Sequence, residues 1–237
     1  MNGADDIVVV TAISPHYDYL VQGHQNEDLD IKFFAFIDVD RWDGYINPSE
    51  KSLEGSQASS KWQYLPISQQ FPIPRMNAKI HKILIHEFFP KAEYTIWIDG
   101  NIQVQTRSLR RLIDGMGEND IMLFKHYTRN CLYSEANECM VRGLDSKDKI
   151  FDQICRYTQE GYPQGNGLPE CPVIIRRNNK ISRDFNCMWW DESQTGTIRD
   201  QISFPYVQYK TRIKVGYLPG TILNNEFFKK LVQLPHK

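Results

Sequence analysis

The chain has 237 residues, 41% hydrophobic, 12% aromatic and 24% charged, a composition that supports one sizeable core and argues against a disordered chain, a coiled coil or a collagen-like repeat. Its 28 Lys and Arg balance 29 Asp and Glu to a formal charge of -1, which argues against the basic stripe of a nucleic-acid binder and leaves any anionic ligand to a local cluster. No window approaches the length of an apolar membrane span, and the acidic start MNGADDIVVV is no basic leader, so a chain without a transmembrane segment, working in the cytoplasm, is expected.

Ile7 to Ile13 is β-branched and almost wholly apolar, the pattern of a strand covered on both faces, and Ser14-Pro15 ends it. Lys32 to Ile37 repeats the pattern and runs into Asp38. Residues 42–60 turn polar, with Gly44, Pro48 and Gly55, and read as a surface loop able to cover a cleft. From Asn77 to Phe89, Ile80, Ile83, Leu84 and Phe88 recur at helical spacing, with Lys79, Lys82 and His86 on another face and Pro90 as the stop. Tyr94 to Ile98 is a short aromatic and β-branched run broken by Asp99-Gly100-Asn101. An acid at the carboxyl end of a central strand lies where open α/β sheets hold ligands. Turn chemistry favours the same three residue types, so the tripeptide alone does not decide.

Asp120 to Lys125 reads as a strand and Ser134 to Arg142 as a helix. Lys147 to Glu160 is a longer helix, with Ile150, Phe151, Ile154 and Tyr157 as its expected buried stripe. Gly161 to Pro169 reads as a loop, Pro172 to Ile175 as a strand, and Asp200 to about Lys210 as a last helix in which Pro205 is a cost. The cysteines, Cys131, Cys139, Cys155, Cys171 and Cys187, form no CxxC pair, so buried reduced thiols are expected rather than a disulfide framework or a zinc knuckle. The fold class is therefore α/β, a single Rossmann-like domain with a mostly parallel sheet flanked by helices.

Three stretches carry a resemblance: PRMNAKIHKILIHEFFPKAEYTIWIDGN (Pro74 to Asn101), KHYTRNCLYSEA (Lys125 to Ala136), and PECPVIIRRNNKISRDFNCMWWDES with TIRDQISF (Pro169 to Ser193 and Thr197 to Phe204). Together they resemble the mucilage-related, hexosyltransferase-like family grouped with GT-A glycosyltransferases. The resemblance implies a GT-A fold over residues 1–237, with a nucleotide-binding half to about residue 101 and an acceptor and catalytic half beyond it. It also implies transfer of a sugar from a nucleotide-sugar donor to a hydroxyl of a glycan or other acceptor, assisted by a divalent cation, Mn²⁺ or Mg²⁺. A non-catalytic nucleotide-sugar or carbohydrate-binding protein with a degenerate metal site is the alternative.

Carried onto this sequence, the resemblance implies Asp99 as the acid nearest metal and ribose, Asn101 where many GT-A enzymes have a second Asp, and His236 as the late histidine of a metal site. Asn101 removes one anionic ligand and weakens the case for tight metal binding. Thr11, Ala12 and Asp38, at the ends of the first two strands, resemble base and ribose contacts. Arg75 and Lys79, at a helix start, suit a diphosphate or the donor sugar, though a solvated basic face would look the same. His126, Arg129 and Glu135 gather a titratable ring, a cation and a carboxylate suited to sugar hydroxyls, and Trp189 and Trp190 offer faces for stacking or for plain core. Asp200, with Gln201 beside it, is the expected catalytic base for the acceptor hydroxyl, with Glu192 in reserve; a helix-capping Asp is the ordinary explanation.

Overall fold

The computed structural model describes residues 6–14, 20–38 and 62–231. In chain order the elements are β1 (Ile7–Ile13), β2 (Lys32–Ile37), β3 (Trp62–Pro66), α1 (Pro74–Ile83), α2 (Ile85–Phe88), β4 (Tyr94–Ile98), β5 (Ile102–Val104) and α3 (Arg110–Asp114). They continue with β6 (Ile121–Lys125), α4 (Leu132–Val141), α5 (Lys147–Gln159), β7 (Pro169–Arg177), α6 (Lys180–Thr195), α7 (Asp200–Thr211), β8 (Val215–Tyr217) and β9 (Phe228–Lys230). The loop expected over residues 42–60 lies outside the described residues.

Seven strands form one sheet in the order β3-β2-β1-β4-β7-β6-β8. β1, β2, β3 and β4 run parallel, β7 is antiparallel to both neighbours, and β8 pairs parallel with β6. All seven residues of β1 and all five of β4 are buried, as central strands covered on both faces require. Alternate residues feed two cores: Val8, Val10 and Trp97 face one side with Ile83, Phe185 and Phe204, and Val9, Ile96 and Ile98 face the other with Leu112 and Phe228. A separate ribbon of β5 and β9 brings the chain's late residues back to the Asp99 turn, where the Leu231 N–H donates to Asn101 O at 2.9 Å.

Several local expectations change. The single helix expected from Asn77 to Phe89 starts earlier, with Pro74 in its first turn, where a missing N–H costs nothing. It also breaks at Leu84 (φ -91°, ψ 35°) before resuming as α2. In α5 the buried residues are Ile150, Gln153 and Tyr157, whereas Phe151 is 57% exposed. α6 was not anticipated; Asn179 caps it, its Oδ1 accepting from the Ser182 N–H at 2.9 Å. Pro205 lies inside α7, past the first turn, so it removes a helical hydrogen bond there. The five cysteines are free, Cys131, Cys139 and Cys171 buried, Cys155 half-buried and Cys187 exposed.

Candidate active site

β4 ends in a tight turn. The Asp99 N–H donates to Pro172 O of β7 at 2.8 Å, the Ile102 N–H returns to Asp99 O at 2.9 Å, and Trp97 Nε1 donates to Asp99 Oδ1 at 2.8 Å. The carboxylate is thereby fixed at the mouth of a cleft. α1 forms one wall, because residues separated by three, four and seven positions share a helix face; Arg75, Ala78, Lys79 and Lys82 all line the cleft. The start of α7 supplies Arg199, Asp200 and Gln201, β7 supplies Glu170, Cys171 and Pro172, and β9 supplies Lys230.

Asp200 is the electrostatic centre of this wall. Lys79 Nζ lies 3.1 Å from its Oδ1 and Lys82 Nζ 2.7 Å from its Oδ2, with the three side chains 15% exposed or less. Burial alone would raise the Asp200 pKa, but Lys79, Lys82 and Arg199 overcome it and hold the carboxyl well below the usual range. Lys82 also reaches Asp99 Oδ1 at 3.5 Å. Burial works against its charge, but Asp200 and Asp99 outweigh that and raise its pKa. Lys79 is held down to about 8, because burial, with the repulsion of Lys82 and Arg199, exceeds the attraction of Asp200.

The expected site residues divide clearly. Asp99, Asn101, Arg75, Lys79, Asp200 and Gln201 meet in the cleft, although Gln201 Nε2 donates to Pro169 O at 3.0 Å. Asp38 lines an adjoining hollow with Phe71 and Asn77, accepting from Gln69 Nε2 at 3.0 Å, and Ser14 borders both spaces. Thr11 and Ala12 are buried in β1 and line neither; Ser14, just past the strand, takes the position expected of them. His126, Arg129 and Glu135 form a cluster behind Glu170: Arg129 Nε donates to Glu135 Oε2 at 2.7 Å, and His126 Nε2 lies 3.8 Å from Glu170 Oε1.

Glu192 and the tryptophans are corrections. Glu192 accepts from Arg156 Nη2 and the Tyr157 hydroxyl, both at 2.6 Å, and so joins α5 to α6 instead of facing the cleft. Trp189 is wholly buried, its Nε1 donating to Asp200 O and Ser203 Oγ at 3.1 Å, and Trp190 packs edge-on to Phe71. Trp189 therefore supports the Asp200 backbone from behind and does not stack on a sugar. Lys82, Glu170, Arg199 and Lys230 escaped sequence reasoning. Only Lys82 left a signal, its place on the polar face shared with Lys79.

The divalent cation that the resemblance implies finds few ligands in this cleft. Among the described residues the Asp99 turn itself offers one carboxylate, Asp99, and one amide, Asn101; Asp200 is taken up by Lys79 and Lys82, and no three His, Cys, Asp or Glu side chains gather as ligands. The Lys82 ammonium beside Asp99 opposes a second positive charge. These residues do not fit a tightly held dication; His236 lies outside the described residues. They do fit an anionic ligand, since ammonium and guanidinium groups gathered in a shielded cleft suit phosphate oxygens.

A mostly parallel sheet with β7 reversed beside β4, and a cleft at the end of β4 carrying an acid-bearing turn, define the GT-A class of glycosyltransferase fold. Mouse xyloside xylosyltransferase 1 in its apo form has this fold: it superposes with a TM-score of 0.50 at 8% identity, over 90% of this chain and 84% of that one. The family model described as "TOD1/MUCI70, glycosyltransferase-like domain" matches residues 1–236, and the chain belongs to that family. It is 28% identical over 246 residues to "Probable hexosyltransferase MUCI70" of Arabidopsis thaliana, covering 98% of this chain and 42% of the relative. It is 27% identical over 229 residues to "Alkaline ceramidase TOD1" of the same plant, covering 88% of this chain and 49% of the relative. The chain thus spans less than half the length of either curated relative.

Proposed function

We propose that this domain transfers a sugar from a nucleoside-diphosphate donor to a hydroxyl of a glycan or another acceptor. The observation that carries the reading is the cation face of α1, with Arg75, Lys79 and Lys82 directed over the Asp99 turn into one cleft. In this reading the nucleoside lies in the hollow by Ser14 and Asp38, and the diphosphate lies against the α1 cations and Arg199. Fixed cations neutralise the charge that grows on the departing diphosphate, which lowers the barrier where preorganised groups meet developing charge. Asp200 holds Lys79 and Lys82 in place and is too strongly stabilised as an anion to take a proton readily.

The relative named an alkaline ceramidase makes amide hydrolysis the second reading. The cation-rich cleft favours an anionic leaving group, which ceramide lacks. A thermal-shift panel of UDP-glucose, UDP-galactose and GDP-mannose, followed by measured release of nucleoside diphosphate, tests the proposal, with a short-chain ceramide as the opposing arm. A ligand bound only by the native state raises its apparent stability. Stabilisation and diphosphate release with at least one donor are expected. Fatty-acid release from ceramide with no response to any donor would replace the transferase reading by the hydrolase one, and donor binding without release would leave a binding protein.

A further inference from the structure

Among the described residues three carboxylates line the cleft, and their surroundings differ in the property that matters for proton transfer. Asp99 is tied to Trp97 Nε1 and faces Lys82, and Asp200 sits between two ammonium groups. Glu170, near the start of β7, has a side chain only 9% exposed, and among the described residues its one close basic neighbour is the His126 ring, at 3.8 Å. His126 Nδ1 accepts the backbone N–H of Arg129 at 3.0 Å and of Thr128 at 3.2 Å, and Nε2 is the nitrogen nearest Glu170. Arg129 Nη2 lies 3.1 Å from that nitrogen, and burial, with the Arg129 charge, lowers the His126 pKa despite Glu135. The surroundings therefore disfavour a charged ring beside Glu170.

We infer that Glu170 takes the proton of the acceptor hydroxyl, an inference that rests on the transferase reading of this cleft. The acceptor O–H bond breaks toward the Glu170 carboxylate and its oxygen bonds to the anomeric carbon. The bond from that carbon to the diphosphate oxygen breaks, and its electron pair leaves with the nucleoside diphosphate. Only a carboxylate with substantial proton affinity serves as such a base near neutrality. Burial pushes the Glu170 pKa up to about 6, with Glu135 of α4 adding to the rise and Lys230 of β9 and Arg129 opposing it. Two acids held far apart in proton affinity within one cleft divide the work: Asp200 stays charged and Glu170 exchanges a proton.

The test measures nucleoside diphosphate release from UDP-glucose, UDP-galactose and GDP-mannose, with water and methyl hexosides as acceptors. Glu170→Gln is expected to bind donor within threefold of wild type and to lose roughly 10²- to 10⁴-fold in turnover. The wild-type rate should rise through about pH 6, an acid limb that Glu170→Gln lacks, and Glu170→Asp should recover part of the rate. Turnover of Glu170→Gln within threefold of wild type, or survival of the acid limb in it, would overturn the inference. Release by wild type alongside unchanged Glu170→Gln sinks the base assignment only; absence of donor binding and release in wild type sinks the transferase reading itself.

Discussion

Burying Glu170 as a carboxylate costs stability. Its folded pKa of about 6 lies above the ordinary 4.5, so the folded state binds its proton more tightly than the unfolded chain does. No cost is present below about pH 4.5; stability is lost as pH rises through that window, and the loss is complete above pH 6. At about 1.4 kcal/mol per unit this amounts to about 2 kcal/mol. Glu170→Gln should therefore be more stable than wild type by about that amount at pH 8, with the gap closing by pH 4 in denaturant titrations. Equal stability at pH 8 would show that Glu170 ionises without penalty. Asn101 makes a second residue-scale prediction: with Asp99 the lone carboxylate of the turn, EDTA should weaken donor binding by less than roughly tenfold, about 1.4 kcal/mol. A larger loss, restored by Mn²⁺, would place a dication on Asp99 with ligands from beyond the described residues.

At the scale of elements, α1 is the helix that the proposed function sets against the donor phosphates. Arg75→Ala with Lys79→Ala should lower donor affinity by roughly 100-fold, since each charge-assisted contact is worth about 1.5 kcal/mol or more. Unchanged affinity in a calorimetric titration would remove this helix from the site. This much was legible in the sequence: β1 and β4 are β-branched and almost wholly apolar runs, and the 75-79 spacing places two cations on one turn-to-turn face. β7 shows why the rest was hidden. Pro169 closes a loop by local rules and the expected strand begins only at Pro172, yet the strand between β4 and β6 already starts at Pro169, and a register shift at Leu123/Phe124 accommodates its irregular pairing. Glu170, between those prolines, was thereby assigned to no element. α6 misled in the opposite way, since Trp189, Trp190 and Glu192 have residue types suited to sugar binding, and only the packing of α6 on α5 and α7 shows that they face inward. The Asp200 assignment found the right place, but Lys82, which changes that residue's chemistry, comes from a helix more than a hundred residues earlier.

For the whole molecule, the cation cleft sits in a chain whose formal charge is -1. Among the described residues five cations, Arg75, Lys79, Lys82, Arg199 and Lys230, surround three carboxylates there, so attraction for an anion gathers at one mouth. The consequence is kinetic. A low-dielectric cleft of one prevailing sign draws an anionic ligand in from beyond contact range, and the Debye length shrinks from about 30 Å at 0.01 M salt to about 8 Å at 0.15 M. Stopped-flow association of a fluorescent nucleoside diphosphate should slow several-fold over that salt range, while its dissociation rate, governed by short contacts inside the cleft, changes much less. The molecule would then meet its donor fastest in dilute electrolyte, and added salt would slow the encounter far more than it loosens the grip.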